Sequence, residues 1–264
     1  MRRTSKTRLS VTALEGREVP ACIVSHPTPD TVVITGNDKP DTVIIRDNGI
    51  GGVSGMATGW GAFSFSGIKH IKVATNGGGD RVAYNLIRDL QPEQMRSVQV
   101  DLGSSPRGVA DQFVANLYNP ATGVGSDLKA GSSLSINVAG GDGRDVIFVN
   151  AFKDTDVAPG AKLNLGLFGQ AGDDIIMVHY WGENDGSVSV VADGGAGRDL
   201  ERVRLHESPG STGQLAGVVR GSDGNDNLGL FMLTANVPSQ ALLDGGAGTD
   251  TPFATPNVTQ INFP

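Results

Sequence analysis

A short pattern of glycine and aspartate recurs along the chain and has the composition of a cation-binding turn. The clearest copies are Gly-Gly-Asp-Gly-Arg-Asp ending at Asp145 and Gly-Ser-Asp-Gly-Asn-Asp ending at Asp226. Glycine accepts positive φ, so the backbone can turn sharply and direct its carbonyl oxygens toward one point. Calcium takes about six to eight oxygen ligands, which carbonyls and an aspartate carboxylate supply. The pattern therefore predicts calcium binding.

The copies of this pattern are spaced like the repeats of a solenoid. Six clear copies, a weaker one at Asp41 and a degenerate one at Asp111 are separated by 39, 31, 34, 29, 25, 27 and 24 residues. A drifting period of about 28 residues is typical of a solenoid, propeller or array. Several copies carry a second acid beside the final aspartate. The predicted calcium ligands are Asp80, Asp142, Asp145, Asp173, Asp174, Asp193, Asp199, Asp223, Asp226, Asp244 and Asp250.

Alternating apolar residues flank these turns and indicate short strands. Leu163, Leu165 and Leu167 precede one turn, and Ile176 and Val178 follow it. Alternation with period two places these side chains on one face, which in a solenoid is the interior. The sequence predicts an all-β parallel β-helix, or β-solenoid, of about eight coils with one glycine-rich corner per coil. It occupies residues 30–264, after a leader and flexible segment at 1–29.

One copy departs from this alternation. Glu201 occupies the inward position two residues after Asp199, and apolar residues resume only at Val203. A charged side chain in a solenoid interior is unfavourable unless it is paired. We therefore expect a β-bulge or a widened coil at this point.

Each corner resembles the calcium-binding nonapeptide of RTX proteins, Gly-Gly-x-Gly-x-Asp-x-U-x, where U is a large apolar residue. The RTX repeats run in tandem, whereas those of this chain are isolated, which implies a larger coil with one RTX-like corner. The resemblance implies calcium between successive corners. An alternative is a metal-free turn whose aspartate accepts backbone hydrogen bonds. Arg144 and Arg198 directly precede two key aspartates, where a guanidinium could replace calcium.

The N-terminus has features of an export signal. Residues 1–8 contain four basic side chains, but the apolar segment after them is short and is interrupted by charges, unlike an ordinary signal peptide. The string Leu-Glu-Gly-Arg-Glu-Val-Pro at 14–20 resembles the leader of many exported proteins of planctomycete bacteria. That resemblance implies a secreted or cell-surface protein. Cys22, the single cysteine, is expected to be a free thiol in the flexible segment.

Composition excludes several functional classes. The net charge of −7 disfavours nucleic acid and anionic membranes as partners, and no apolar run approaches the roughly 18 residues of a membrane span. The four histidines lack metal-binding spacing, and no nucleophile elbow or phosphate-binding loop occurs. We therefore expect no enzymatic activity.

The expected function is that of an extracellular or cell-surface calcium-binding structural or adhesive protein. Its expected partners are calcium ions, and surface polysaccharide or other surface proteins are further candidates. The alternative is a polysaccharide-binding or polysaccharide-modifying protein resembling lyases and epimerases, because parallel β-helices host such enzymes. That alternative predicts acidic, basic and aromatic residues clustered on one side of the coil. His179, Tyr180 and Trp181 form the most notable aromatic cluster.

Overall fold

A computed structural model describes residues 21–105, 109–234 and 240–263. This part of the chain contains twenty β-strands, numbered β1 to β20 in chain order, and no helix. They form two ten-stranded sheets, called sheet A and sheet B. Sheet A consists of β1 (Ile23–Thr28), β2 (Thr31–Thr35), β6 (His70–Ala74), β8 (Met95–Asp101), β10 (Ser133–Asp142), β12 (Lys162–Ala171), β14 (Ser187–Gly197), β16 (Gln214–Gly224), β18 (Gln240–Asp244) and β20 (Thr259–Ile261). Sheet B consists of β3 (Thr42–Asp47), β4 (Val53–Ala57), β5 (Gly61–Phe65), β7 (Arg81–Leu86), β9 (Gln112–Asn116), β11 (Val146–Ala151), β13 (Ile175–Gly182), β15 (Leu200–Glu207), β17 (Asn227–Leu233) and β19 (Thr251–Ala254).

The predicted β-solenoid is confirmed, with about seven coils rather than eight. From β6 onward the chain alternates between the two sheets, and neighbouring strands within each sheet pair in parallel. The glycine–aspartate corner joins each sheet A strand to the next sheet B strand. Successive corner aspartates lie one coil apart, so the eight of them from Asp41 to Asp250 bound seven coils. The apolar alternation predicted this arrangement because it fills a continuous interior between the sheets.

Strand register explains why the repeat spacing drifts. In sheet A, Leu134 pairs with Leu163, Leu163 with Val188, and Val188 with Leu215, which are steps of 29, 25 and 27 residues. These steps equal the spacings of the corner aspartates Asp145, Asp174, Asp199 and Asp226. The corner is therefore held in register, and the differences in length fall in the loops at the opposite bend. A fixed register is required because a slip of one residue would turn the apolar side chains outward.

Antiparallel strands close the N-terminal end of the solenoid. β1 pairs with β2, and β3, β4 and β5 form an antiparallel meander. The ordered region therefore extends before the expected boundary at residue 30. Cys22 is fully buried, so its expected placement in a flexible segment is wrong. Burial, with Asp41 nearby, raises the pKa of its thiol to about 12. The leader pattern at 14–20 lies outside the described residues.

The interior is lined mainly by stacked valine, isoleucine and leucine side chains, and an ion pair is buried near this cap. Arg96 and Asp47 form a fully buried ion pair through Nε and Nη2 of the arginine, the latter 3.1 Å from Oδ1. The Tyr84 hydroxyl donates to Asp47 Oδ2 at 2.8 Å. Such a pair is stabilising only while both partners remain, since either one alone is an uncompensated buried charge.

The bulge expected near Glu201 is absent from this part of the sheet. Glu201 pairs in regular register with Ile176 on one side and Leu228 on the other, and its side chain is fully buried. Among the described residues, nothing helical has the length and apolarity needed to cross a membrane.

Candidate functional site

The eight corner aspartates form a continuous hydrogen-bonded ladder along one edge of the solenoid. The backbone N–H of each of the first seven donates to Oδ1 of the corner aspartate one coil further on, at distances between 2.6 and 3.2 Å. All eight side chains are buried. We call this arrangement the aspartate ladder, and its members are Asp41, Asp80, Asp111, Asp145, Asp174, Asp199, Asp226 and Asp250. One oxygen of every ladder carboxylate except that of Asp41 therefore links neighbouring coils.

The second carboxylate oxygen has no hydrogen-bond partner within the described chain at six corners. This holds for Oδ2 of Asp80, Asp145, Asp174, Asp199, Asp226 and Asp250. A buried acceptor without a donor is unfavourable, and a buried charge without one is more so. Each of these oxygens therefore favours a proton or a cation near it.

At most of these corners a glycine five residues earlier leaves room for that oxygen. A Cβ built on Gly169 would lie 2.4 Å from Oδ2 of Asp174 and 2.4 Å from the carbonyl oxygen of Gly194 in the next coil. The same relation holds for Gly140 and Gly221, with distances of 2.5–2.6 Å. Glycine is required here because any side chain would displace these atoms. The Oδ2 atom, which has no donor, and the carbonyl oxygen of the next coil therefore border the same small space.

Burial raises the pKa values of several ladder carboxyls. Burial is the main cause at Asp145 and Asp199, whose pKa values rise to about 7, with neighbouring ladder carboxylates as a further cause. Burial likewise raises the pKa values of Asp80 and Asp174 to about 6. Near neutral pH these groups therefore exchange readily between protonated and ionised forms. A divalent cation would compete with those protons.

Glu201 brings a second unpartnered carboxyl to the Asp199 corner. A Cβ on Gly194 would lie 2.3 Å from Glu201 Oε1 and 2.5 Å from Asp199 Oδ2. Neither oxygen of Glu201 has a hydrogen-bond partner in the described part of the chain. Burial, followed by the charge of Asp199, raises the pKa of Glu201 well above its usual range. Two carboxyls that face one buried space each disfavour ionisation of the other unless a cation joins them.

Two corners satisfy their second oxygen with the protein itself. At the degenerate corner the Ser105 hydroxyl donates to Oδ2 of Asp111 at 2.7 Å. At the first corner the Asn37 N–H donates to Oδ2 of Asp41 at 2.9 Å. Asp111 thus occupies the position predicted from a poor sequence match, although the glycine pattern is lost there. Oδ1 of Asp41, however, has no partner in the described chain, so Asp111 is the ladder carboxylate with both oxygens hydrogen-bonded there and has the least need of a cation.

Five of the predicted ligands lie outside the ladder. Their side chains are exposed or half-buried on the outer surface of the corner. Four accept hydrogen bonds from the protein: Asp142 from Ser104, Asp173 from the Arg198 N–H, Asp193 from Ser222, and Asp244 from Gly246 and Asn262. Asp223 lies on the same outer surface. The predicted set therefore divides into six ladder members and five surface acids.

No cluster of three or more histidine, cysteine, aspartate or glutamate side chains with metal-binding geometry occurs among the described residues. Any cation at the ladder would therefore be bound largely by backbone carbonyls and one or two carboxylates. Arg144 and Arg198 are exposed and line an open polar groove beside the ladder. In the described chain neither forms an ion pair with a carboxylate, so the expected substitution of calcium by a guanidinium is not present there.

Sequence reasoning missed a second row of acids at the opposite bend. The Asp127 N–H donates to Asp89, the Asp156 N–H to Asp127, and the Glu183 N–H to Asp156. Lys129 forms ion pairs with Asp89 at 3.1 Å and Asp127 at 2.8 Å. The available signal was an aspartate followed by an apolar residue, in Asp-Leu, Asp-Leu and Asp-Val at 89–90, 127–128 and 156–157. This row is exposed enough to be solvated and is partly neutralised by lysine.

Comparison of the chain with protein-family models, characterised proteins and solved structures gives no match.

Proposed function

We propose that the chain is a non-catalytic structural or adhesive solenoid of the bacterial exterior, stabilised by calcium along the aspartate ladder. The observation that carries the calcium proposal is the row of buried Oδ2 atoms that lack donors. Carboxylate and carbonyl oxygens are the ligands that calcium prefers. The candidate ligands are the Oδ2 atoms of Asp145, Asp174 and Asp226 with the carbonyl oxygens that share their space. Bound calcium supplies charge compensation there, and no reaction.

The Asp199 corner is the strongest candidate position. Glu201 contributes a second carboxylate there, so the uncompensated negative charge is greatest. A cation joining Asp199 and Glu201 would allow both to ionise. The carboxylate of Glu201 would then serve as a calcium ligand. Without calcium, an apolar residue at this buried position would be more favourable than a carboxyl.

The absence of catalysis is proposed on the same geometry. The ladder carboxyls are buried and already accept backbone hydrogen bonds. Acid–base catalysis requires that a carboxyl reach a substrate within hydrogen-bond distance. These groups hold coils together and lie beneath the surface, which supports a structural role. Export, by contrast, is proposed from the resemblance of residues 14–20 alone.

A thermal melt with calcium, with magnesium and with a chelator tests the proposal. A ligand bound only to the folded state stabilises it by about 2.7 kcal/mol at roughly one hundred times its Kd. We expect calcium to raise Tm at pH 7.5, magnesium to raise it less, and the calcium effect to shrink at pH 5 as protons occupy the ladder. Identical melts in calcium and chelator would show that protons alone compensate the ladder.

A matched pair of variants locates the effect. Glu201→Gln removes one carboxylate from the proposed site, whereas Glu183→Gln removes a charge from the exposed row at the other bend. We expect the first to reduce the calcium-dependent rise in Tm and the second to leave it unchanged. An equal rise in both variants and the parent chain would exclude calcium at the Asp199 corner.

A further inference from the structure

The outer face of sheet B differs in character from the rest of the molecule. Aromatic and basic side chains point outward from β13, β15 and β17 and from the bend after β11. Among the outward positions of β11, β13, β15 and β17 there is no aspartate or glutamate, although the chain as a whole carries −7. We call this surface the aromatic–basic patch and define it by Lys153, His179, Trp181, Arg204, His206 and Phe231.

Stacking holds the largest ring of the patch in a fixed orientation. Trp181 is 51% exposed and stacks on His206, with ring centroids 5.3 Å apart and an interplanar angle of 13°. Phe152 packs edge-on against His179, with ring centroids 6.3 Å apart. A shallow groove beside these rings is lined by Phe152, Lys153, Trp181 and His206. An exposed, oriented indole beside a groove can stack on the apolar face of a sugar ring at little entropic cost.

The cations of the patch are available to a ligand. The Arg204 guanidinium is exposed and lies over the Phe231 ring, with 5.7 Å from Cζ to the centroid. Lys153 Nζ lies 5.0 Å from the Phe152 centroid. Of the basic side chains in the described chain, only Arg96 and Lys129 form ion pairs with a carboxylate. Asp154 lines the same groove and is the acid nearest to Lys153 in sequence.

Besides the indole and the cations, the patch contains an uncharged imidazole, that of His179. Burial, and the neighbouring Arg204, lower the pKa of His179. At neutral pH this ring therefore donates one hydrogen bond and accepts another, as a hydroxyl group of a sugar requires. The patch thus combines a stacking surface, two free cations and a neutral polar ring on a flat sheet.

We propose that the aromatic–basic patch binds an acidic polysaccharide, with a sugar ring stacked on Trp181 and uronate carboxylates paired with Arg204 and Lys153. The two cations without ion-pair partners lie beside strands whose outward positions carry no acid, with Asp154 as the acid that lines the groove, and they are complementary to an anionic chain. The exposed indole favours a sugar over an acidic peptide as the carrier of that charge. The regular rungs of the sheet, about 4.8 Å apart, present an extended surface suited to a polymer. This proposal stands independently of calcium at the ladder.

The test is a titration of the protein with polygalacturonate in the presence of chelator, so that calcium cannot bridge the two anions. We expect saturable binding that weakens with added salt, because exposed charges are screened. Fully methyl-esterified polygalacturonate, which keeps the rings but lacks the charge, is expected to bind at least about tenfold more weakly. Equal binding of the two polymers, or no binding of either, would overturn the proposal.

Four variants place the binding on the patch. Trp181→Ala and Arg204→Gln are each expected to weaken binding roughly tenfold, as is usual for anchoring aromatic and arginine side chains. Trp60→Ala removes a tryptophan of similar exposure, 47%, from the turn between β4 and β5, and Lys162→Gln removes an exposed cation from sheet A. Both controls are expected to bind as the parent does. A loss of affinity common to all four variants, or to none, would refute the assignment.

Two further measurements separate the outcomes. Poly-glutamate is the probe for an acidic peptide, and binding as tight as that of polygalacturonate would replace the sugar in the proposal by a protein segment. The Tm of each variant in chelator shows whether the fold is intact. Since the patch lies outside the ladder, failure of calcium to stabilise the protein would leave this binding unaffected.

Discussion

Replacement of Asp174 by asparagine tests whether the Asp174 carboxyl lowers the free energy of unfolding when no metal is bound. Asparagine has nearly the same shape, keeps an oxygen for the Asp145 N–H, which lies 2.7 Å from Oδ1, and cannot ionise. Burial raises the pKa of Asp174 from 3.8 to about 6. Each pKa unit corresponds to about 1.4 kcal/mol, so ionisation of this group at pH 7 lowers the free energy of unfolding by about 3 kcal/mol. In chelator, Asp174→Asn should be more stable than the parent by up to that amount.

The pH dependence of this difference follows from the direction of the shift. The folded state holds the proton more tightly than the unfolded state, because its pKa is the higher of the two. Stability contributed by Asp174 is therefore complete below about pH 4 and is lost as pH rises to about 6. The advantage of Asp174→Asn over the parent should accordingly disappear as the solution is acidified from pH 7 to pH 4.

Urea unfolding in chelator at pH 7 and pH 4 provides the measurement. Asp173→Asn, one residue earlier on the exposed surface, is the matched control and should stabilise the protein much less at pH 7, since it only relieves the repulsion between the two carboxylates, and should change stability little at pH 4. Asp174→Ala, which also removes the acceptor of the Asp145 N–H, should be less stable than Asp174→Asn by about 1–3 kcal/mol. A parent chain that is more stable than Asp174→Asn in chelator at pH 7 would refute the reasoning.

Three other substitutions have defined outcomes in the same unfolding assay. Glu201→Leu replaces an unpartnered buried carboxyl and should stabilise the metal-free protein by about 1–4 kcal/mol, while destabilisation would mean that the carboxyl has an unseen partner. Arg96→Met strands a buried carboxylate and should cost about 3–5 kcal/mol, and a cost below about 1 kcal/mol would contradict the buried ion pair. Gly172→Ala places a Cβ 1.3 Å from a carbonyl oxygen of the preceding coil at φ 142° and should cost at least about 2 kcal/mol. Gly123→Ala, also at positive φ but with nothing within 4 Å, is its control and should cost about 1–2 kcal/mol.

Much of the fold follows from local pattern. Period-two alternation at Leu163, Leu165 and Leu167 requires one buried face, and the recurring glycine–aspartate turn fixes where each strand ends. Even the degenerate copy at Asp111 was placed correctly, because its distance in sequence from Asp80 and Asp145 fits the repeat although its glycine pattern does not. The coil count was too high by about one, since eight corners that lie one coil apart bound only seven coils.

The roles of the acids could not be read from the sequence. Asp173 and Asp174 are neighbours in the chain, yet one is exposed and the other buried, because the turn between β12 and β13 directs Asp174 into the ladder and Asp173 to the surface. Glu201 was expected to distort its coil, but the strands on either side keep it in register. The cost of that burial depends on Asp199, whose carboxyl faces the same space.

The sequence by itself determined the repeat, the alternation and the glycine corner, all of which are set by backbone conformation and side-chain size over a few residues. Only the tertiary structure decided which carboxylate oxygens lack donors and which side chains share a face. The stacking of successive coils brings the Gly194 carbonyl oxygen to the space that borders Asp174 Oδ2, and it stacks His206 on Trp181. Such contacts depend on the register between coils, so no local pattern could have given the ladder of free oxygens or the aromatic–basic patch.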